Sequence, residues 1–211
     1  METLRERKKR RTREALLRAA LELFTTQGYE QTTIDEIVEA VDVSQRTFFR
    51  YFAGKEDVAF TVQEMTEAAF VAAVRARPPH EAPMKALRQA FLEGWDAICE
   101  TVESVVPVEL HLRMYRTIES TPALLAAHLR RSAATEETLA RVLAEREGVD
   151  VDTDPRPRLA VAVFGGVIRV TERHWSTNED FGPESIRMLT MTYLDQVSSA
   201  LTGNWRATRG R

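Results

Sequence analysis

Ser44, Gln45, Arg46 and Thr47 form a run of short or flexible polar side chains where a short helix is expected to begin, and such a run can read nucleic-acid bases. A helix entering a DNA major groove about 12 Å wide needs a few such groups at its N-terminal end to reach base edges. Gln45 can pair bidentately with adenine and Arg46 with guanine, each pair discriminating by roughly 1–3 kcal/mol. The hydroxyls of Thr33 and Thr47 suit phosphate oxygens, and Thr33 also stands where the amides of a helix N-terminus attract anions. Thr33 serves equally as a plain helix cap, and Arg46 as a solvated charge. Upstream, residues 1–18 hold eight basic side chains (Arg5, Arg7, Lys8, Lys9, Arg10, Arg11, Arg13, Arg18) against three acids (Glu2, Glu6, Glu14), a local charge of +5. That run reads as a phosphate-seeking arm or as a solvated, disordered tail.

A second set of candidates lies on two later helices. Leu87, Ala90, Phe91, Gly94, Trp95, Ile98, Cys99 and Val102 make one apolar stripe at helical spacing, and Val108, His111, Leu112, Tyr115 and Ile118 make the next. A mostly apolar wall with a few hydrogen-bonding groups is what a small-molecule pocket requires. Phe91, Trp95, Cys99, His111 and Tyr115, with Phe164 from a later helix, are therefore the expected ligand-binding residues for a small apolar or amphipathic effector. The competing account is ordinary core packing, with His111 a satisfied core histidine. His128 and Arg113 are further candidates, Met65 and Phe70 are placed to close the pocket, and Gly94 signals either close helix packing or room for a ligand. An enzyme would need Cys99 as nucleophile with His111 or His128 as base, but no activating cation is visible near Cys99, so catalysis is not expected. The lone cysteine excludes an intramolecular disulfide and a multi-cysteine metal cluster; no metal and no cofactor is expected.

The elements that must position these groups are helices. Apolar residues recur at i, i+3, i+4, i+7 almost throughout, and no long alternating stretch argues for a sheet, so the chain is predicted to be all-α with about nine helices. The first is expected over roughly 12–27, carrying Leu16, Ala19, Ala20, Leu23 and Phe24 and stopped by Gly28. Thr33 and Glu36 fit a capping box ahead of a second helix about eight residues long; Ser44 caps a third that runs to about Phe52 before Ala53-Gly54. Three helices so closely joined suit a helix-turn-helix. A long helix over about 55–77 ends at Pro78-Pro79, and five more follow near 83–103, 107–119, 122–147, 155–176 and 183–202, with an exposed loop at 148–157 and a frayed end from 203. The domain reading is 1–54 for the helix-turn-helix unit with its basic arm and 55–211 for a helical ligand-binding and dimerisation body.

Residues 13–58, read as R-x-x-L-L-x-A-A-x-x-L-F-x-x-x-G-Y-x-x-T-T-I-x-x-I through V-S-x-R-T-F-F-R-Y-F-x-x-K-E-D-V, resemble the tetracycline-repressor (TetR) family of bacterial regulators. The resemblance implies that the positions of Thr33, Thr47, Tyr51 and Lys55 touch the DNA backbone and that those of Gln45, Arg46 and Phe49 lie nearest the bases. Phe48 and Phe52 fall on the inward face. Two residues depart from the family pattern. Asp42 stands where the turn usually has glycine, and Asp tolerates a left-handed backbone better than most residues. Phe49 stands where the family generally has tyrosine, so one hydroxyl for phosphate is missing.

The helix near 155–176 is apolar nearly all round, with Leu159, Val163, Gly166 and Val170 on one side and Ala160, Phe164, Ile168 and Trp175 on another. The last helix repeats the pattern with Ile186, Leu189, Tyr193, Leu194, Val197 and Leu201. Together they offer more apolar surface than one body of this size covers, which predicts a two-fold four-helix interface and hence a homodimer on double-stranded operator DNA. A net charge of −3 argues against a nonspecific nucleic-acid coat protein. The charged N-terminus is unlike a secretory signal and no apolar run is long enough to span a bilayer, so no membrane partner and a cytoplasmic location are expected. The expected output is repression relieved by a small molecule; the alternative is a constitutive or protein-controlled DNA-binding regulator.

Overall fold

A computed structural model describes residues 3–177 and 182–203. Among the described residues nine helices follow one another: α1 Leu4–Thr26, α2 Ile34–Glu39, α3 Gln45–Phe49, α4 Lys55–Ala76, α5 Pro83–Glu103, α6 Val108–Ser120, α7 Pro122–Glu147, α8 Arg156–Thr177 and α9 Pro183–Thr202. The expected all-α architecture is the observed one. The expected fraying beyond Gly203 lies outside the described residues. No helix of the described residues is long and apolar enough to cross a membrane.

The first helix corrects the sequence reading. It begins at Leu4 rather than near residue 12, because Thr3 and Glu6 form a reciprocal capping box: the Thr3 hydroxyl accepts from the Glu6 amide, and the Glu6 carboxylate accepts from the Thr3 amide at 2.8 Å. The basic segment is thus a helical extension of α1 and not a loose tail. The buried stripe of α1 is also wider than expected, with Leu17 and Leu21 fully enclosed beside Leu16, Ala20 and Phe24. Its second flank is covered by Leu110, Met114 and Ile118 of α6, so the three-helix unit and the body share one core.

In the helix-turn-helix, α2 and α3 are shorter than expected, and the chain from Arg50 to Tyr51 is a turn. Asp42 takes a left-handed conformation at φ 53°, the geometry its position demanded, and the Val43 amide closes the turn onto the Val38 carbonyl at 3.0 Å. Phe48 and Phe52 are buried against Ile37 and Val58 in this core.

The body packs α4, α5, α7, α8 and α9 around Val74, Leu87, Phe91, Leu139, Leu143, Val161, Phe164 and Leu194. Helix α4 stops at Pro78, and the Arg146 guanidinium of α7 caps it, donating to the carbonyls of Arg77 at 2.6 Å and Pro78 at 2.8 Å. Gly94 of α5 lies toward Ala73 of α4, where an added Cβ would meet the Ala73 methyl at an ordinary 3.8 Å, so the crossing would also accommodate alanine, and Gly94 does not line the cavity that α5 helps to enclose.

Candidate functional site

Two sites stand along α4, one near its start and one beside its middle turns. At the first, Ser44 caps α3 and holds Thr47: the Ser44 Oγ accepts from the Thr47 amide at 3.3 Å, and the two hydroxyls lie 3.1 Å apart. Gln45, Arg46 and Phe49 project outward from the first turns of α3 and are exposed, Phe49 by 53%. The Gln45 Nε2 donates to the Asp35 carboxylate of α2, which fixes the orientation of the amide. Thr33 is engaged in its capping box, its hydroxyl 2.9 Å from the Glu36 carboxylate. The Thr33 amide and hydroxyl hold the Glu36 carboxyl below the usual carboxylate range.

Lys55 and Tyr51 differ from the simple picture of outward contacts. The Lys55 Nζ donates to the carbonyls of Tyr29 at 2.8 Å and Thr32 at 2.6 Å and lies over the Tyr29 ring, so it staples the end of the α1 turn to α4. Burial pushes its amine pKa down. Tyr51 is half-buried, and its hydroxyl accepts from the Arg50 guanidinium at 3.2 Å, which also stacks on its ring. Arg50 is a residue the sequence reading passed over: exposed at the end of α3, it is the cation nearest the Tyr51 hydroxyl. The helical extension of α1 carries Arg5, Arg7, Lys8, Lys9, Arg10 and Arg11, all exposed, away from the same unit.

The second site is a cavity of about 220 Å³ enclosed by α4, α5, α6, α8 and α9. Phe91, Trp95, Cys99, His111, Tyr115 and Phe164 all line it. The Phe91 and Trp95 rings are 5.2 Å apart, His111 meets Tyr115 edge-on at 6.3 Å, and Phe70 stacks on Phe164 at 5.5 Å. Burial pushes His111 down to about 4, so its ring is neutral at ordinary pH. Burial and the neighbouring Asp96 and Glu184 push the Cys99 thiol up, the opposite of an activated nucleophile. Of the two residues expected to close the pocket, Phe70 lines it and Met65 does not; Arg113 lies on an outer face.

Sequence reading named His111 and Tyr115 but missed the acidic part of this wall. Glu67 of α4 and Glu172 of α8 face the cavity beside Tyr115, whose hydroxyl pKa burial and the nearby Glu172 push well up. Behind them Gln63 bridges Glu67 and His128 with two contacts of 2.8 Å. A signal existed: Gln63, Glu67, Phe70 and Val74 share one face of α4, and two polar groups on a row that ends in a fully buried valine need partners.

Comparison with known proteins accords with both halves of the chain. Residues 16–62 match the bacterial regulatory proteins of the tetR family, and residues 81–203 match the MftR C-terminal domain. The HTH-type transcriptional regulator TcmR of Streptomyces glaucescens is 47% identical over 203 residues, spanning 96% of this chain and 90% of that protein. Two solved structures share the fold at low identity. A transcriptional regulator from Aquifex aeolicus VF5 superposes with a TM-score of 0.56 at 14% identity, covering 90% of this chain and 99% of that one. A TetR-family regulator from Syntrophomonas wolfei superposes with 0.59 at 20%, covering 94% and 99%. With a relative this similar over nearly its whole length, the chain belongs to the TetR family of DNA-binding transcriptional regulators and is not an enzyme.

Proposed function

We propose that the protein is a repressor that binds an inverted-repeat operator as a homodimer and lets go when a small molecule fills the cavity between α4 and α9. Residues 1–54 are the reading unit and 55–211 the effector and dimer body. In the reading unit, Gln45, Arg46 and Phe49 meet bases, Ser44 and Thr47 position the helix, and Thr33, Tyr51 and Lys55 border the phosphate backbone. Two such units must sit one DNA turn apart, roughly 34–36 Å, to engage both half-sites.

The observation that carries this reading is the double engagement of α4. At its start Lys55 is tied to the carbonyls of Tyr29 and Thr32 in the reading unit; farther along, Thr66, Glu67 and Phe70 form one wall of the cavity. A ligand that displaces that wall moves the reading unit with it. Coupling of about 1–3 kcal/mol is usual between linked sites and suffices for release. The dimer face is drawn from α8 and α9, where Leu159, Val170 and Leu201 are 60%, 59% and 71% exposed around a shallow groove lined by Val163, Gly166, Tyr193 and Val197.

Footprinting on the gene's own upstream DNA, at fixed salt, tests this. A symmetric protected site is expected, which Arg46→Ala weakens by roughly 10-fold or more through loss of one bidentate base contact per subunit, and which one class of small molecule lifts. Protection that no ligand shifts overturns the effector reading and leaves a constitutive DNA-binding regulator.

A further inference from the structure

The apolar cavity does not end at its aromatic wall. A second chamber of about 180 Å³ shares Glu67, Phe70, Tyr115, Phe164 and Glu172 among others with it, and adds the polar side chains of Gln63, His128, Ser132 and Thr135 beside Leu139. In that chamber most of the protein's own donors are engaged, the Ser132 hydroxyl apart. The Gln63 Nε2 contacts the Glu67 carboxylate and the His128 Nδ1, both at 2.8 Å. Reversing the amide would set its carbonyl against a carboxylate, so this orientation is the one the contacts select. In the neutral ring, with Nδ1 accepting, the His128 proton sits on Nε2, which lies 3.8 Å from the Glu172 carboxylate. The Thr135 hydroxyl donates to Glu67 at 2.5 Å, and Tyr115 lies beside Glu172 on the wall the two chambers share. Arg169, the cation at the rim, is held by Glu136.

Apart from the Ser132 hydroxyl, what remains to receive a ligand is acceptors. Gln63 is 6% exposed, and its Oε1 is buried with no hydrogen-bond partner. Beside it are the free lone pairs of Glu67 and Glu172. A buried acceptor without a donor is unfavourable, and a set of them facing one chamber is a demand for donors.

We infer that the two chambers are one bipartite site whose ligand lays a planar aromatic body against Phe91, Trp95 and Phe164 and places a hydrogen-bond-donating head, hydroxyl or ammonium, on Gln63 Oε1 and the Glu67 and Glu172 carboxylates, refusing an anionic head. This rests on the effector-cavity reading and deepens it. Because Gln63 and Glu67 belong to α4, the head group engages the helix that carries the reading unit.

Four tricyclic probes of one shape test the inference on the full-length protein without DNA, read by quenching of its tryptophan fluorescence: 9-(aminomethyl)anthracene, 9-(hydroxymethyl)anthracene, anthracene-9-carboxylate and 9-methylanthracene. The amine, the alcohol or both should bind at least tenfold more tightly than the carboxylate. Their advantage over the methyl compound should shrink severalfold in Gln63→Met and in Glu172→Gln, each protein being referred to its own 9-methylanthracene affinity. A lead of the amine over the alcohol assigns the recognition to carboxylate charge, and equal binding assigns it to hydrogen bonding; either supports the site. A carboxylate that binds as well as the donors overturns it, as does a donor advantage that survives in both variants. If a variant does not fold, the ranking on the unaltered protein decides alone. If 9-methylanthracene too fails to quench, the apolar cavity reading itself falls, an outcome distinct from loss of head-group selectivity.

Discussion

His111 and His128 stand on neighbouring helices beside one cavity, and they respond to pH in opposite senses. Burial lowers the His111 pKa to about 4 from 6.5, because a charged ring there loses its water and gains no partner. Burial also works against charge on His128, but the Glu172 hydrogen bond and the charges of Glu172, Glu119 and Glu67 together outweigh it, and its pKa is raised. For His111 the folded pKa lies below the unfolded one. Its stability contribution is complete above pH 6.5 and is lost as pH falls toward 4, while the unfolded chain takes up a proton that the folded one refuses. For His128 the contribution is complete below pH 6.5 and is lost as pH rises through the raised folded value. Thermal melts between about pH 4.5 and 8 are expected to show a flattened acid limb in His111→Phe. In His128→Asn the loss should be greater at pH 6 than at pH 8. At this scale the sequence was informative where a residue acts through exposure. Gln45 and Arg46 follow a capping serine and face away from Phe48, so their outward aim was legible. The pairing of Gln63 with His128 joins residues 65 apart in the chain, and nothing local announces it.

Helix boundaries were legible wherever a backbone rule decides them. Pro78-Pro79, Pro83, Pro122 and Gly148 end or begin helices as composition predicts, and Gly148 takes the left-handed φ of 66° that a helix stop requires. The start of α1 was legible too, in Thr3-x-x-Glu6, but a dense basic run outweighed it, since charge repulsion argues against a helix and says nothing about its caps. What keeps α4 in place is not local. Its terminal carbonyls are held by Arg146, which approaches from α7 and is part-buried there. Hydrogen bonds to a charged donor are worth about 1.5–3 kcal/mol, so Arg146→Ala should cost roughly 2 kcal/mol in urea unfolding, with Arg146→Lys recovering only part because one ammonium cannot span both carbonyls as the fork does. A substitution that leaves the unfolding midpoint unchanged would show that water replaces the guanidinium without loss.

At the scale of the molecule, a strip of α8 and α9 bearing Leu159, Val170 and Leu201 is exposed among the described residues. Val170→Glu should leave the helical content intact and convert a dimer to a monomer by light scattering. Operator affinity should then fall more than tenfold, because two reading units no longer arrive as one bivalent body. A dimer that persists would move the interface elsewhere. The chain's own pattern determined the all-α class, the nine helices, the helix-turn-helix and the aromatic side of the cavity, because helical periodicity, caps and breakers act over a few residues and are written out in order. Tertiary structure alone decided that α6 closes the core of the reading unit, that Lys55 turns inward to two carbonyls, and that Gln63, Glu67, His128 and Glu172 meet around one chamber. Those outcomes depend on which helix faces cross, and a buried polar group finds its partner by position in space and not by distance along the chain.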